Sequence, residues 1–230
     1  MTATTVRALR LADTAEAADL AAFLGRLIRY DRAAAVRLQV GGGAVAVFGR
    51  PPAFEVLAIR TGRLRADATS AELDVTVSAG ELLEAIDEST GGFALPAAVT
   101  GPPWTGVLPP RGGWQRIPGL PGPARLRQEI AAAVAEFRTR DEALPEAHRD
   151  RAERDRIGRE IWSRPVADTP LPLRAVHAAQ SVGFLRPMPE NAPVALLGTA
   201  TWLRLRTPYG SIAVRPAGTA GITGLSVTPT

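Results

Sequence analysis

Apolar residues recur along this chain with two periods, and the change from one to the other marks its elements. Leu20, Phe23, Leu24, Leu27 and Ile28 fall three and four apart, and Asp13 with Glu16 forms a capping box ahead of them, so the spacing predicts an amphipathic helix over 14–30. The period then becomes two. Val36, Leu38 and Val40 alternate with Arg37 and Gln39, Gly41-Gly42-Gly43 turns the chain, and 44–49 returns as the second strand of a hairpin. Val6–Leu11, Phe54–Arg60 and Leu73–Val77 read as further strands. Ser78 and Glu81 make a second capping box, and Leu82, Leu83 and Ile86 give the buried stripe of a helix over 79–88, stopped by Gly91-Gly92. Residues 1–95 therefore read as a helix-and-sheet unit in the order β-α-β-β-β-β-α. Short sequential strands favour an antiparallel sheet.

Periodicity lapses over 96–122. Residues 96–123 hold eight of the 20 prolines and six glycines, the composition of a connector, with Trp104 and Trp114 to pin part of it down. Pro123 suits the first position of a helix whose face is Leu126, Ile130, Val134 and Phe137; Pro145 ends it and opens a second, making a helix hairpin over 123–164. The second arm, 146–163, has only Ile157, Ile161 and Trp162 as large apolar residues. It carries Asp150/Arg154, Asp155/Arg159 and Glu160/Arg164 at i,i+4, so most of it belongs in water. The remaining unit, 165–230, starts with a short helix from Leu171 to Val182, capped by Gly183 with Phe184-Leu185 folding back. A strand over Val194–Leu197 follows, then a hairpin of 200–206 and 211–215 joined by Thr207-Pro208-Tyr209-Gly210. The Gly/Thr-rich last ten residues read as frayed. The pattern predicts an α+β fold: a mainly antiparallel sheet with helices on one face, a central helix hairpin, and a C-terminal helix plus β-hairpin.

Composition narrows the chemistry. All 27 basic residues are Arg, which removes phosphate-loop and Schiff-base lysines, and the absence of Cys removes thiolate nucleophiles and cysteine metal sites. The net charge of +4 is unevenly placed: residues 1–110 carry 10 Arg and 12 acids, residues 111–230 carry 17 Arg and 11 acids. An anionic partner is therefore sought on the second half. No apolar run reaches the length of a membrane span, and Asp13, Glu16 and Asp19 interrupt any signal-peptide core, which reads as cytoplasmic.

One constellation is sharper than the others. In the C-terminal hairpin, alternation puts Leu203 and Leu205 on one face and Trp202, Arg204 and Arg206 on the other, with Tyr209 at the tip and Arg215 on the return strand. An aromatic and cationic face of this kind can stack on bases and neutralise phosphates; the alternative is a solvated sheet face with Trp202 covering a neighbouring element. Arg111, Arg116, Arg125 and Arg127, with no acid among them, could extend it, or could dock on Glu81, Glu84 and Glu88, since Asp87 and Glu88 stand where the helix dipole disfavours them.

Other motifs fail on context. Gly41-x-Gly43-x-x-Ala46 precedes a strand rather than a helix, so it is a hairpin turn and not a dinucleotide fingerprint. Ser211 and Ser226 lie on no strand-to-helix elbow, and His148 and His177 have no spacing partner, which leaves a Ser/His/Asp device with Asp168 to folding alone. No metal and no cofactor is expected. The sequence thus reads as a non-catalytic binding protein that contacts nucleic acid through Trp202, Arg204, Arg206, Tyr209 and Arg215. The alternatives are a protein–protein assembly or self-association module using 146–163, and a hydrolase.

Overall fold

The computed structural model describes residues 8–65, 72–146 and 150–216; the start of the first strand, His148, Ser226 and the terminal ten residues lie outside them. Among the described residues the fold is α+β, with eleven strands and five helices. The strands are β1 (Ala8–Arg10), β2 (Ala35–Gly41), β3 (Ala44–Gly49), β4 (Leu57–Arg63), β5 (Leu73–Ser78), β6 (Ile86–Asp87), β7 (Gly92–Ala94), β8 (Gln115–Ile117), β9 (Ala195–Gly198), β10 (Leu203–Thr207) and β11 (Gly210–Val214). The helices are α1 (Thr14–Tyr30), α2 (Ala79–Ala85), α3 (Pro123–Glu142), α4 (Arg151–Trp162) and α5 (Leu173–Ser181).

Eight strands form one antiparallel sheet in the order β5-β2-β3-β4-β11-β10-β9-β8, and β1-β7-β6 form a small second sheet. Both halves of the chain contribute to the large sheet, which they share through the β4–β11 ladder, Ala58 opposite Ile212. On one side, Leu20, Phe23, Leu24 and Leu27 of α1 pack with Val36, Leu38, Val45 and Val47, and the same cluster runs on through Leu126, Ile130, Ile157, Ile161 and Val176 of the later helices. The helices lie on that face. The opposite face is covered by the Pro/Gly segment, whose Trp104, Leu108 and Trp114 rest against a second cluster of Phe48, Leu57, Ile59, Trp202 and Ala213. Proline-rich chain suits this role: it crosses strands without offering a competing row of N–H donors.

Local chemistry accounts for most element ends. The side chain of Asp13 accepts from the Glu16 N–H at 2.8 Å, and Gly42 and Gly43 take φ of 58° and 75°, the left-handed pair that a two-residue hairpin turn requires. The fourth strand begins at Leu57 rather than Phe54, because Pro51 and Pro52 have no N–H for the ladder and Ala53 and Glu55 hold left-handed backbone. The second helix ends at Ala85, short of the expected 88. Asp87 and Glu88 therefore do not burden a helix C-terminus: the Asp87 carboxylate accepts from the N–H and hydroxyl of both Ser89 and Thr90, which pulls its pKa down to about 2.

The helix hairpin is tied differently from the i,i+4 pattern read in its sequence. Asp150 caps α4 by accepting from the Glu153 N–H, Arg154 reaches across to Asp141, and Arg140 and Arg164 bridge to Glu160 and Glu136. Among the described residues, Glu160–Arg164 alone of the three expected i,i+4 pairs forms an ion pair. Its polar residues face water, while Ile157 and Ile161 are 1% and 0% exposed in the core, so they offer no surface for assembly with a second chain.

Candidate nucleic-acid interface

Strand register assigns the arginines of the C-terminal sheet to a face. Residues paired across neighbouring strands point the same way. One cross-strand row reads Arg116, Leu197, Arg204, Ala213 and Leu57; the next reads Ala195, Arg206, Ser211, Ile59 and Phe48. Leu57, Ile59, Phe48 and Ala213 belong to the cluster under the Pro/Gly segment, so Arg116, Arg204 and Arg206 share the face opposite the helices. Strand geometry separates Arg116 from Arg204 by roughly 10 Å and Arg204 from Arg206 by roughly 7 Å.

The expected site residues divide into two groups. Arg206 and Arg215 are exposed, and Arg204 is half-covered, its guanidinium carbon 5.7 Å from the centre of the Trp114 ring. Arg111 shares a cleft with Arg204, beside Pro109 and Pro110, and therefore does extend this surface. Among the described residues none of Arg116, Arg204, Arg206 and Arg215 forms an ion pair. Burial lowers the Arg204 pKa from its usual value, and the neighbouring charge of Arg206 lowers it further, while its buried Nε has no acceptor. Two like charges held side by side without a counter-charge favour any anion that can lie between them.

Trp202 and Tyr209 do not stand free as the alternation implied. Trp202 is 7% exposed, sealed into the cluster beneath the Pro/Gly segment with Arg215 stacked 5.2 Å above its ring. The Tyr209 ring lies 3.5 Å under the Arg186 guanidinium, and its carbonyl accepts from Arg60. Arg60, 6% exposed, also donates to Glu16 and Asp19, and Arg186 donates to Asp19 at 2.8 Å. This buried joint fastens the hairpin turn to α1. Its sequence signal was slight: alternation puts Arg60 on the same face as Ala58, where a buried cation needs carboxylates, but which acids would supply them is a long-range matter.

Arg125 and Arg127 lie on α3, in the helix layer on the other side of the sheet, where Arg125 pairs with Glu129. Neither they nor Arg111 and Arg116 form an ion pair with Glu81, Glu84 or Glu88 among the described residues. His177 stacks on Trp162 at 4.4 Å and meets the edge of Phe54, rather than packing among alanines; burial lowers its pKa. No acid or hydroxyl hydrogen-bonds to it among the described residues, and Ser211 lies buried on β11 while Asp168 is exposed. No described helix is long and apolar enough to cross a membrane.

The layering of one large antiparallel sheet with helices on one face has counterparts among solved structures. The DNA polymerase III beta subunit from Thermotoga maritima superposes with a TM-score of 0.50 at 11% identity, over 96% of this chain and 68% of that one. The DNA polymerase sliding clamp from Pseudomonas aeruginosa gives 0.49 at 13% identity, over 96% and 67%. At 11% identity the likeness to the Thermotoga maritima subunit is one of fold. In sequence, residues 4–106 match the family model described as Domain of unknown function (DUF8010), and residues 109–219 match that described as Domain of unknown function (DUF8185). Curated proteins give no match.

Proposed function

We propose that the protein is a non-catalytic cytoplasmic binder of an anionic partner, nucleic acid first, and that the helix-free face of its sheet is the contact surface. One observation carries this reading. Arg116, Arg204, Arg206 and Arg215 share that face without a carboxylate partner among the described residues, whereas Arg140, Arg154 and Arg164 of the helix hairpin all find acids. Guanidinium groups left unpaired at such spacing suit phosphate oxygens, which accept their paired N–H donors. The fold shared with a subunit of a DNA polymerase makes DNA the first nucleic acid to test. With Trp202 buried, the contacts fall on phosphates rather than on stacked bases, so binding should depend little on sequence.

The direct test is fluorescence anisotropy of labelled single-stranded and duplex oligonucleotides titrated with the protein. Binding that weakens in Arg206→Gln and again in Arg204→Gln/Arg206→Gln supports the assignment. No binding of either oligonucleotide at low salt would remove it.

A further inference from the structure

The loop between β3 and β4 departs from the strands it joins. Ala53 and Glu55 hold φ of 68° and 52°, a backbone state unfavourable for a residue with a side chain that persists where its surroundings impose it. Glu55 lines three neighbouring clefts, two of which also hold Arg174. One, of about 440 Å³, is bounded by Arg50, Glu55, Trp104, Arg174, Trp202 and Arg215. The other, of about 830 Å³, shares Glu55 and Arg174 and continues past Arg159 to Trp162 and His177.

Three cations reach the first cleft from three separate elements: Arg50 from the end of β3, Arg174 from the first turn of α5, and Arg215 from beyond β11. Among the described residues none of them forms an ion pair, with Glu55 or any other acid. The Nε of Arg174 is buried and has no hydrogen-bond acceptor among the described residues, a state that desolvation makes unfavourable. Against Glu55, the three guanidinium groups leave the lining with a charge of +2. A phosphate monoester carries close to the opposite charge at neutral pH, and its three oxygens accept from several N–H donors at once. Beside the cations the cleft offers the partly exposed indole of Trp104, an apolar wall for whatever the phosphate is attached to.

We propose that this cleft is a binding site for the phosphoryl group of a phosphate ester, gripped by Arg50, Arg174 and Arg215, with the ester's ring against the Trp104 indole. The cleft borders the arginine face but takes only Arg215 from its four arginines, and both decisive substitutions, at Arg50 and Arg174, lie outside that set.

Isothermal titration calorimetry of the full chain with adenosine monophosphate, and separately with inorganic phosphate, tests the site. Arg174→Gln and Arg50→Gln should each weaken adenosine monophosphate by about tenfold, while Arg206→Gln leaves it unchanged. Arg50 is exposed, so its variant keeps the test informative if Arg174→Gln fails to fold. Inorganic phosphate bound as tightly as the nucleotide would support the same cation set and assign it to the free oxyanion. No heat with either ligand at about 10 mM would overturn the proposal. So would equal affinity in wild type and both cleft variants, or loss confined to Arg206→Gln.

Discussion

Trp202 illustrates what alternation can and cannot say about a single residue. Its face was legible in the sequence, since it does share a side of the sheet with Arg204 and Arg206. Its exposure was not, because a Pro/Gly segment some ninety positions earlier folds over it, and no local pattern encodes that cover. Trp202→Ala should therefore act as a core truncation and cost about 3–5 kcal/mol in urea unfolding, where a solvent-facing indole would cost little. His177 makes a second prediction at this scale. Burial lowers its pKa below the usual 6.5, so the unfolded chain takes the proton first: stability is fully present above about pH 6.5 and falls as pH drops through that value toward the folded pKa. Thermal unfolding from pH 7.5 to 5.5 should show this decline, and His177→Phe should flatten it.

Elements whose causes are local were read well, and those whose causes are distant were not. The helix over 14–30, the 44–49 strand and the Gly183 cap each follow from residues within a turn of one another, and the structure keeps them to within a residue or two. The partners of Arg154 and the three-residue delay of β4 depend on packing against other segments, so sequence spacing missed both. Gly183 tests a local cause directly. Its φ of 80° closes α5 and lets the Phe184 and Leu185 N–H groups reach the Ala179 carbonyl, while an added Cβ would stand 2.7 Å from the Arg26 guanidinium carbon. Gly183→Ala should destabilise the protein by about 1–2 kcal/mol, read as a lowered midpoint in urea with an unchanged slope.

At the scale of the whole molecule, the sheet joins the two halves of the chain, and the Glu16–Asp19–Arg60–Arg186 joint locks the C-terminal hairpin to α1. Unfolding should accordingly be a single calorimetric transition, and Arg60→Ala, which removes the buried cation joining Glu16, Asp19 and the Tyr209 carbonyl, should lower its free energy by about 3 kcal/mol without splitting it. An α+β layering could be read from hydrophobic pattern alone; the pairing of β4 with β11 could not, because nothing within either strand names its neighbour. The functional reading belongs to this scale too, since its arginines come from β8, β10 and the chain after β11. Its most direct measurement is the slope of log binding constant against log salt concentration for a B-form duplex. Engagement of all four arginines predicts a slope of about −3.6 for the wild-type chain, falling in magnitude by about 0.9 with each of Arg116→Gln, Arg206→Gln and Arg215→Gln. A slope near zero, or one that these substitutions leave unchanged, would contradict the account.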